Sequence, residues 1–350
     1  MTMRQQLFLH IGDCKTGSTV VQTMLAGGHV VPQDVRLFYP GQAAHGQLQT
    51  SLGSRPDLYP ARWQAIARRL ASADWDVAVL SSELFEFSQP AKVARALQEN
   101  LPEYADTVKV IAYIRPHAGR VLSQFAENLK LSHDTGTMAQ FLDRFIDTGH
   151  LNYTKRLDAW HEQFPGRLIV RPFIRDQLKN GDVRDDFLSI ILNGGAYTRG
   201  GEQDPNVSLC LADLALVRLL QRRFCESGEV PIENRVAFGK VFGRLLQARA
   251  PTGTGEKLGL PRALYERIRA HCLEDAQNMD QTWASPPCFE RALETAADGV
   301  IAHPQSLEAE IHHSPETLRQ TMVWGDLILH QMQDPPKVFG KRMRAIPSRH

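Results

Sequence analysis

Two hydrophobic rhythms divide this chain. Over roughly the first 190 residues, short, mostly apolar runs alternate with stretches whose apolar positions recur every three to four residues. The runs Leu7–Ile11, Val35–Tyr39, Asp76–Leu80, Val108–Ile114 and Arg167–Phe173 read as strands, the first of them buried on both faces. Between them, the helical period predicts helices over Val20–Ala26, Pro60–Leu70, Ala91–Gln98, His117–Lys130, Thr154–Gln163 and Val183–Leu192. Trp63, Ile66, Ala67 and Leu70 share one face of the second of these helices. Val121, Leu122, Phe125 and Leu129 share one face of the fourth. Strands alternating with helices predict a parallel α/β sheet flanked by helices in three layers, because right-handed crossovers place each helix over the sheet.

After Gly194 the rhythm changes. Gly194–Gly201 reads as a loop, and helical periodicity then dominates in Leu211–Phe224, Ile232–Ala250 and Arg262–Asp280, with a linker at Pro251–Lys257. The last stretch is weakly patterned apart from a helix over Pro315–Met332. Beyond Asp334 come five basic residues (Lys337, Lys341, Arg342, Arg344 and Arg349) and no acid, which reads as a solvated, partly ordered end. The expected organisation is an α/β core over 1–200 and a helical extension over 201–350 that is not an independent domain.

Composition narrows the function classes. The 350 residues carry a net charge of +1, so the chain as a whole gives no reason to expect nucleic acid or an anionic membrane as a partner. No apolar run approaches the roughly 20 residues of a membrane helix. A strand starting so close to Met1 leaves no room for a secretory leader, and the expected location is cytoplasmic. Five cysteines (Cys14, Cys210, Cys225, Cys272 and Cys288) without a C-x-x-C pair argue against a disulfide framework and a thiolate zinc site. His312 and His313 have no matching ligand set, and no metal site is expected. Oligomeric state is not legible.

The chemistry concentrates where strand meets helix. Gly12 ends the first apolar run, and Lys15, Thr16, Gly17, Ser18 and Thr19 lead directly into a helix. That geometry presents free backbone N–H groups and the positive helix end to an anion. The order Gly12-x-x-Lys15-x-Gly17-Ser18-Thr19 differs from a Walker A loop, which carries its lysine after the second glycine. Arg115 ends the strongest strand, with Ser123 on the helix that follows, and forms a second candidate anion site. Ligands of open α/β sheets bind at the carboxyl ends of strands, so two sites there imply a ligand with two separated phosphate groups.

With both motifs in view, the chain resembles the PAPS-dependent sulfotransferases, where PAPS is 3′-phosphoadenosine 5′-phosphosulfate. His10 to Thr19 is similar to the family's 5′-phosphosulfate loop, and Val110 to Pro116 with Ser123 is similar to its 3′-phosphate motif. Here Pro116 follows the arginine directly, where many members have one residue between. Leu151–Trp160, Val170–Leu178 and Asn206–Leu209 are similar to bacterial members. The resemblance implies a P-loop-like fold and sulfuryl transfer from PAPS to a hydroxyl, with a carbohydrate or glycolipid as acceptor and no metal required. It implies that Lys15 neutralises the leaving oxygen, that Thr16, Gly17, Ser18 and Thr19 hold the 5′-phosphate, and that Arg115 and Ser123 hold the 3′-phosphate. The family's general base is a His or Glu, and Glu83 and His45 occupy the two matching places. Two rivals stay open from the residues themselves. One is an ATP- and Mg²⁺-dependent small-molecule kinase; the other is a non-catalytic nucleotide-binding protein.

Overall fold

The computed structural model describes residues 5–41, 43–200, 208–249 and 255–347. Seven strands are present among them: β1 (Gln6–Gly12), β2 (Val30–Pro32), β3 (Leu37–Phe38), β4 (Val77–Ser81), β5 (Lys109–Ile114), β6 (Leu168–Pro172) and β7 (Tyr197–Arg199). Five of them form a parallel sheet in the order β3-β4-β1-β5-β6. The expected α/β class with a helix-flanked parallel sheet is therefore present.

β1 lies at the centre because its apolar run can be buried on both faces. Leu7, Leu9 and Ile11 are fully buried and Phe8 is nearly so. On the face to which Phe8 points, Val21, Met24 and Leu25 of helix Ser18–Ala26 pack with Phe187, Leu188 and Ile191 of helix Val183–Ile191 against Val79, Ile111 and Tyr113. Helices Tyr59–Ser72, Pro90–Asn100 and Tyr153–Gln163 pack side by side, and they bury Trp63, Leu97 and Trp160 respectively. Within β1 the pairing with β5 slips by one residue between His10 and Gly12, a bulge that lets the chain leave the sheet at the loop.

The chain separates into two compact units that follow no single cut. The first comprises residues 1–117, 152–203 and 272–294, and the second comprises 118–151, 204–271 and 295–350. The second unit is helical. Leu220 and Phe224 of helix Leu211–Glu226, Phe238 of helix Ile232–Arg249, Met332, and Phe339 of helix Pro336–Arg344 make one of its cores.

Four expectations need correction. The strand expected over Val35–Tyr39 is only Leu37–Phe38, an edge pairing with β4. The segment read as a loop over Gly194–Gly201 contains β7, which pairs antiparallel with β2; strand partners so distant in sequence leave no local turn signal. Helix Met138–Asp147, closed by a Thr137–Gln140 capping box, was not anticipated. The basic tail is not merely solvated, since Pro336–Arg344 is a helix that buries Phe339. Asn206, Val207, Gly201, Ala250, Arg349 and the first part of the Pro251–Lys257 linker lie outside the described residues.

Candidate functional site

The site is built at the carboxyl edge of the sheet, where β1 runs between β4 and β5. The loops that follow these three neighbouring strands carry Lys15, Glu83 and Arg115. Strand order reverses around β1, and this is the crevice where open α/β sheets take ligands.

The loop after β1 folds back on itself. Lys15 and Gly17 both adopt positive φ, at 65° and 78°. For Lys15 this conformation costs roughly 1–2 kcal/mol, so the fold must enforce it. Alternating left-handed positions turn successive N–H groups inward into a nest that suits an anion. Gly17 is the residue immediately before helix Ser18–Ala26. Among the described residues, the backbone N–H groups of Thr16, Gly17, Ser18 and Thr19 meet no protein acceptor. The hydroxyls of Thr16 and Ser18 do not join that array. They donate inward to the Asp13 carbonyl at 2.5 and 3.2 Å and tighten the loop. Thr19 is exposed, so its hydroxyl can still face a ligand.

A buried ion pair supports the loop from below. Arg156, on helix Tyr153–Gln163, donates two hydrogen bonds of 2.6 Å to the Asp13 carboxylate. Asp13 is completely buried. Glu86 is also buried and accepts from the Cys14 N–H at 2.9 Å. Burial opposes the charge on Arg156, but the Asp13 and Glu86 carboxylates outweigh it and hold its pKa above the ordinary arginine value. Sequence reading missed Arg156 because its partner lies 143 residues away.

Arg115 and the loop meet at one aromatic ring. The Arg115 guanidinium lies 5.0 Å from the Phe173 ring centroid. A Cβ added to Gly17 would come within 3.4 Å of the same ring and 2.9 Å of the Val183 side chain. Val183 is held there by its helix. Asp186, one turn on, accepts from the Tyr113 hydroxyl at 2.8 Å and from Arg171 at 2.6 and 3.0 Å. Phe173 and Val183 therefore form a common floor, and only glycine fits above it.

The two candidate bases differ sharply. Glu83 follows β4 and is partly buried, and its Oε2 accepts a 2.8 Å hydrogen bond from Gln22. Gln22 also reaches the Ser81 hydroxyl at 3.2 Å, which in turn bonds His10 Nδ1 at 2.8 Å. The close approach of Gly12 to the Glu83 backbone, where a Cβ would be 3.0 Å away, ties this turn to the loop. His45 is buried instead. Its Nδ1 accepts from the Ser81 N–H at 3.0 Å, and its Nε2 faces the Pro40 carbonyl at 3.4 Å. Desolvation pushes its pKa down to about 4. Both ring nitrogens serve the backbone, and the ring packs edge-on to Tyr39 with centroids 4.7 Å apart.

The fold thus gathers Lys15, Thr16, Gly17, Ser18, Thr19, Glu83 and Arg115 within the first unit, together with the buried His45. Ser123 is partly buried on helix His117–Lys130 and belongs to the second unit. A cavity of about 280 Å³ in the second unit is a weaker candidate. Its arginines Arg218, Arg222 and Arg223 each face a carboxylate, Glu308 for the first two and Asp326 for the third. No helix among the described residues is long and apolar enough to cross a membrane. Comparison of the chain with protein-family models, with curated proteins and with solved structures found no match.

Proposed function

We propose that this protein is a sulfotransferase of P-loop-like fold that transfers a sulfuryl group from PAPS to a hydroxyl, with a carbohydrate or glycolipid as acceptor class. One observation carries the reading. The N–H groups of Thr16–Thr19, which meet no protein acceptor among the described residues, and the strand-end Arg115 lie on loops that both border Phe173, which suits a ligand with two anionic groups. A lysine before the second glycine, together with Ser81-Ser82-Glu83 at the end of β4 in place of a metal-binding Asp, favours a sulfate donor over ATP with Mg²⁺.

PAPS supplies the sulfuryl group, and the chain's residues bind and balance charge around it. The N–H nest takes the 5′-phosphate; Arg115 takes the 3′-phosphate. The acceptor oxygen attacks sulfur as the bond from sulfur to the 5′-phosphate oxygen breaks, giving the sulfated acceptor and 3′,5′-ADP. Lys15 neutralises the negative charge that grows on the leaving oxygen. Glu83 takes the acceptor's proton, with its carboxylate oriented by Gln22. Glu83 is preferred to His45 as the base because both His45 ring nitrogens face backbone atoms.

The test is calorimetric titration with 3′,5′-ADP and with ATP, with and without Mg²⁺, followed by transfer of ³⁵S from labelled PAPS to a panel of glycans and glycolipids. The reading expects metal-independent binding of 3′,5′-ADP in preference to ATP. It also expects a loss of about 10²–10³ in turnover for Lys15→Ala. Preference for ATP with Mg²⁺ would support the kinase, and binding without transfer to any acceptor would support the non-catalytic alternative.

A further inference from the structure

The turn that carries Arg115 is fastened by residues from two distant parts of the chain. The Tyr153 hydroxyl donates to the Arg115 carbonyl at 3.0 Å. Two residues on, the buried His117 stacks on the Tyr153 ring, with centroids 4.3 Å apart and planes 18° from parallel. Asp275, on helix Arg262–Thr282, joins the two. Its Oδ2 bonds His117 Nε2 at 2.9 Å and accepts the Tyr153 N–H at 3.0 Å, while its Oδ1 accepts the Thr154 N–H at 2.9 Å. One carboxylate therefore caps helix Tyr153–Gln163 and anchors the start of the helix after Arg115. His117 Nδ1 is buried without a protein partner among the described residues, so the ring's fixed contacts are Asp275 and Tyr153.

We infer that Tyr153 and Asp275 are positioning residues that set this protein's selectivity for nucleotides bearing a 3′-phosphate, by holding the Arg115 turn against the end of β5. The inference rests on the sulfotransferase reading, which gives Arg115 the 3′-phosphate. A guanidinium recognises a phosphate oxygen only at hydrogen-bonding distance and angle, so a small shift of its backbone weakens the contact. The Arg115 guanidinium lies over the Phe173 ring, and its backbone carbonyl accepts from the Tyr153 hydroxyl. Tyr153 in turn is held from both ends by Asp275, through its own N–H and through the stacked His117. Arg156, one helical turn from Tyr153, carries the Asp13 pair under the 5′ loop. The first turn of this helix therefore serves both anion sites: the Tyr153 ring lies 5.6 Å from the Arg156 guanidinium, and the Tyr153 hydroxyl serves the 3′ side.

The experiment is titration of the full chain with 3′,5′-ADP and with 5′-AMP, in the wild type and in Tyr153→Phe, Asp275→Asn and Arg115→Ala. The ratio of the two Kd values measures what the 3′-phosphate contributes. Tyr153→Phe keeps the ring, the stack and the Arg156 contact, and removes only the hydroxyl. We expect the ratio to fall by about threefold to tenfold in Tyr153→Phe and by about tenfold in Asp275→Asn, with 5′-AMP affinity nearly unchanged in Tyr153→Phe. Arg115→Ala should abolish the preference. A residue with only a structural role would weaken both nucleotides together and leave the ratio intact. An unchanged ratio in Tyr153→Phe, in a wild type that does prefer 3′,5′-ADP, overturns the inference and leaves the sulfotransferase reading standing. A wild type without that preference removes the reading itself. Should Asp275→Asn fail to fold, Tyr153→Phe decides alone.

Discussion

Replacing Arg156 with methionine removes the guanidinium that donates two hydrogen bonds to the buried Asp13 carboxylate. The Asp13 side chain is 1% exposed and that of Arg156 is 13% exposed, so water cannot substitute for the lost partner. Both hydrogen bonds measure 2.6 Å. Methionine retains most of the stem's packing, which isolates the charge. Removing one member of such a pair costs about 3–5 kcal/mol. Glu86 adds to the cost, because the arginine also answers its charge. With a urea dependence of about 3 kcal/mol per molar, the unfolding midpoint should drop by about 1–2 M. The double variant Asp13→Asn with Arg156→Met removes the buried carboxylate charge as well and should recover at least half of the loss. Urea titrations followed by tryptophan fluorescence, arranged as a double-mutant cycle, make the comparison. A loss below about 1 kcal/mol for Arg156→Met, or a double variant no more stable than the single one, would refute the claim that the loop stands on this pair.

Gly17→Ala forces a Cβ into left-handed backbone at φ 78° and within 2.9 Å of Val183 Cγ1, so it should cost about 2 kcal/mol and weaken nucleotide binding. Pairing it with Val183→Ala should relieve the crowding but not the backbone strain, as thermal melts of the three variants would reveal. Glu83→Gln should reduce turnover by about 10²–10³ while His45→Gln lowers it by less than about tenfold; the reverse order would return the base role to the histidine. His10 and His45 are both held neutral by burial, with pKa values pushed down to about 4 from 6.5. Their unfolded forms bind a proton between those values and the folded forms do not. Their stabilisation is thus complete above pH 6.5 and is lost as pH falls towards 4, by up to about 3 kcal/mol each. Urea midpoints measured across this window should rise with pH, and the rise should flatten when both histidines are replaced by glutamine; an equal slope in that variant would contradict their neutral burial.

The hydrophobic rhythm alone determined the α/β class, the five sheet strands to within a few residues, and helix His117–Lys130 at its observed bounds. These features are legible because period and strand length are local properties of the chain. The strand–turn–helix geometry around Gly12–Thr19 was equally legible, since a glycine turn between an apolar run and a helix is a local arrangement. The tertiary structure decided everything that needed a distant partner. It set β1 between β4 and β5, which brings the loops of Lys15, Glu83 and Arg115 side by side. It sent the Thr16 and Ser18 hydroxyls to the Asp13 carbonyl, turned His45 inward, and put Arg156 beneath the loop. It also brought Asp275, from a helix that reads as part of a C-terminal extension, to the turn after β5. A hydrogen bond between residues more than 100 positions apart leaves no mark on the periodicity of either segment. Only the packed chain determines which buried charge finds which partner.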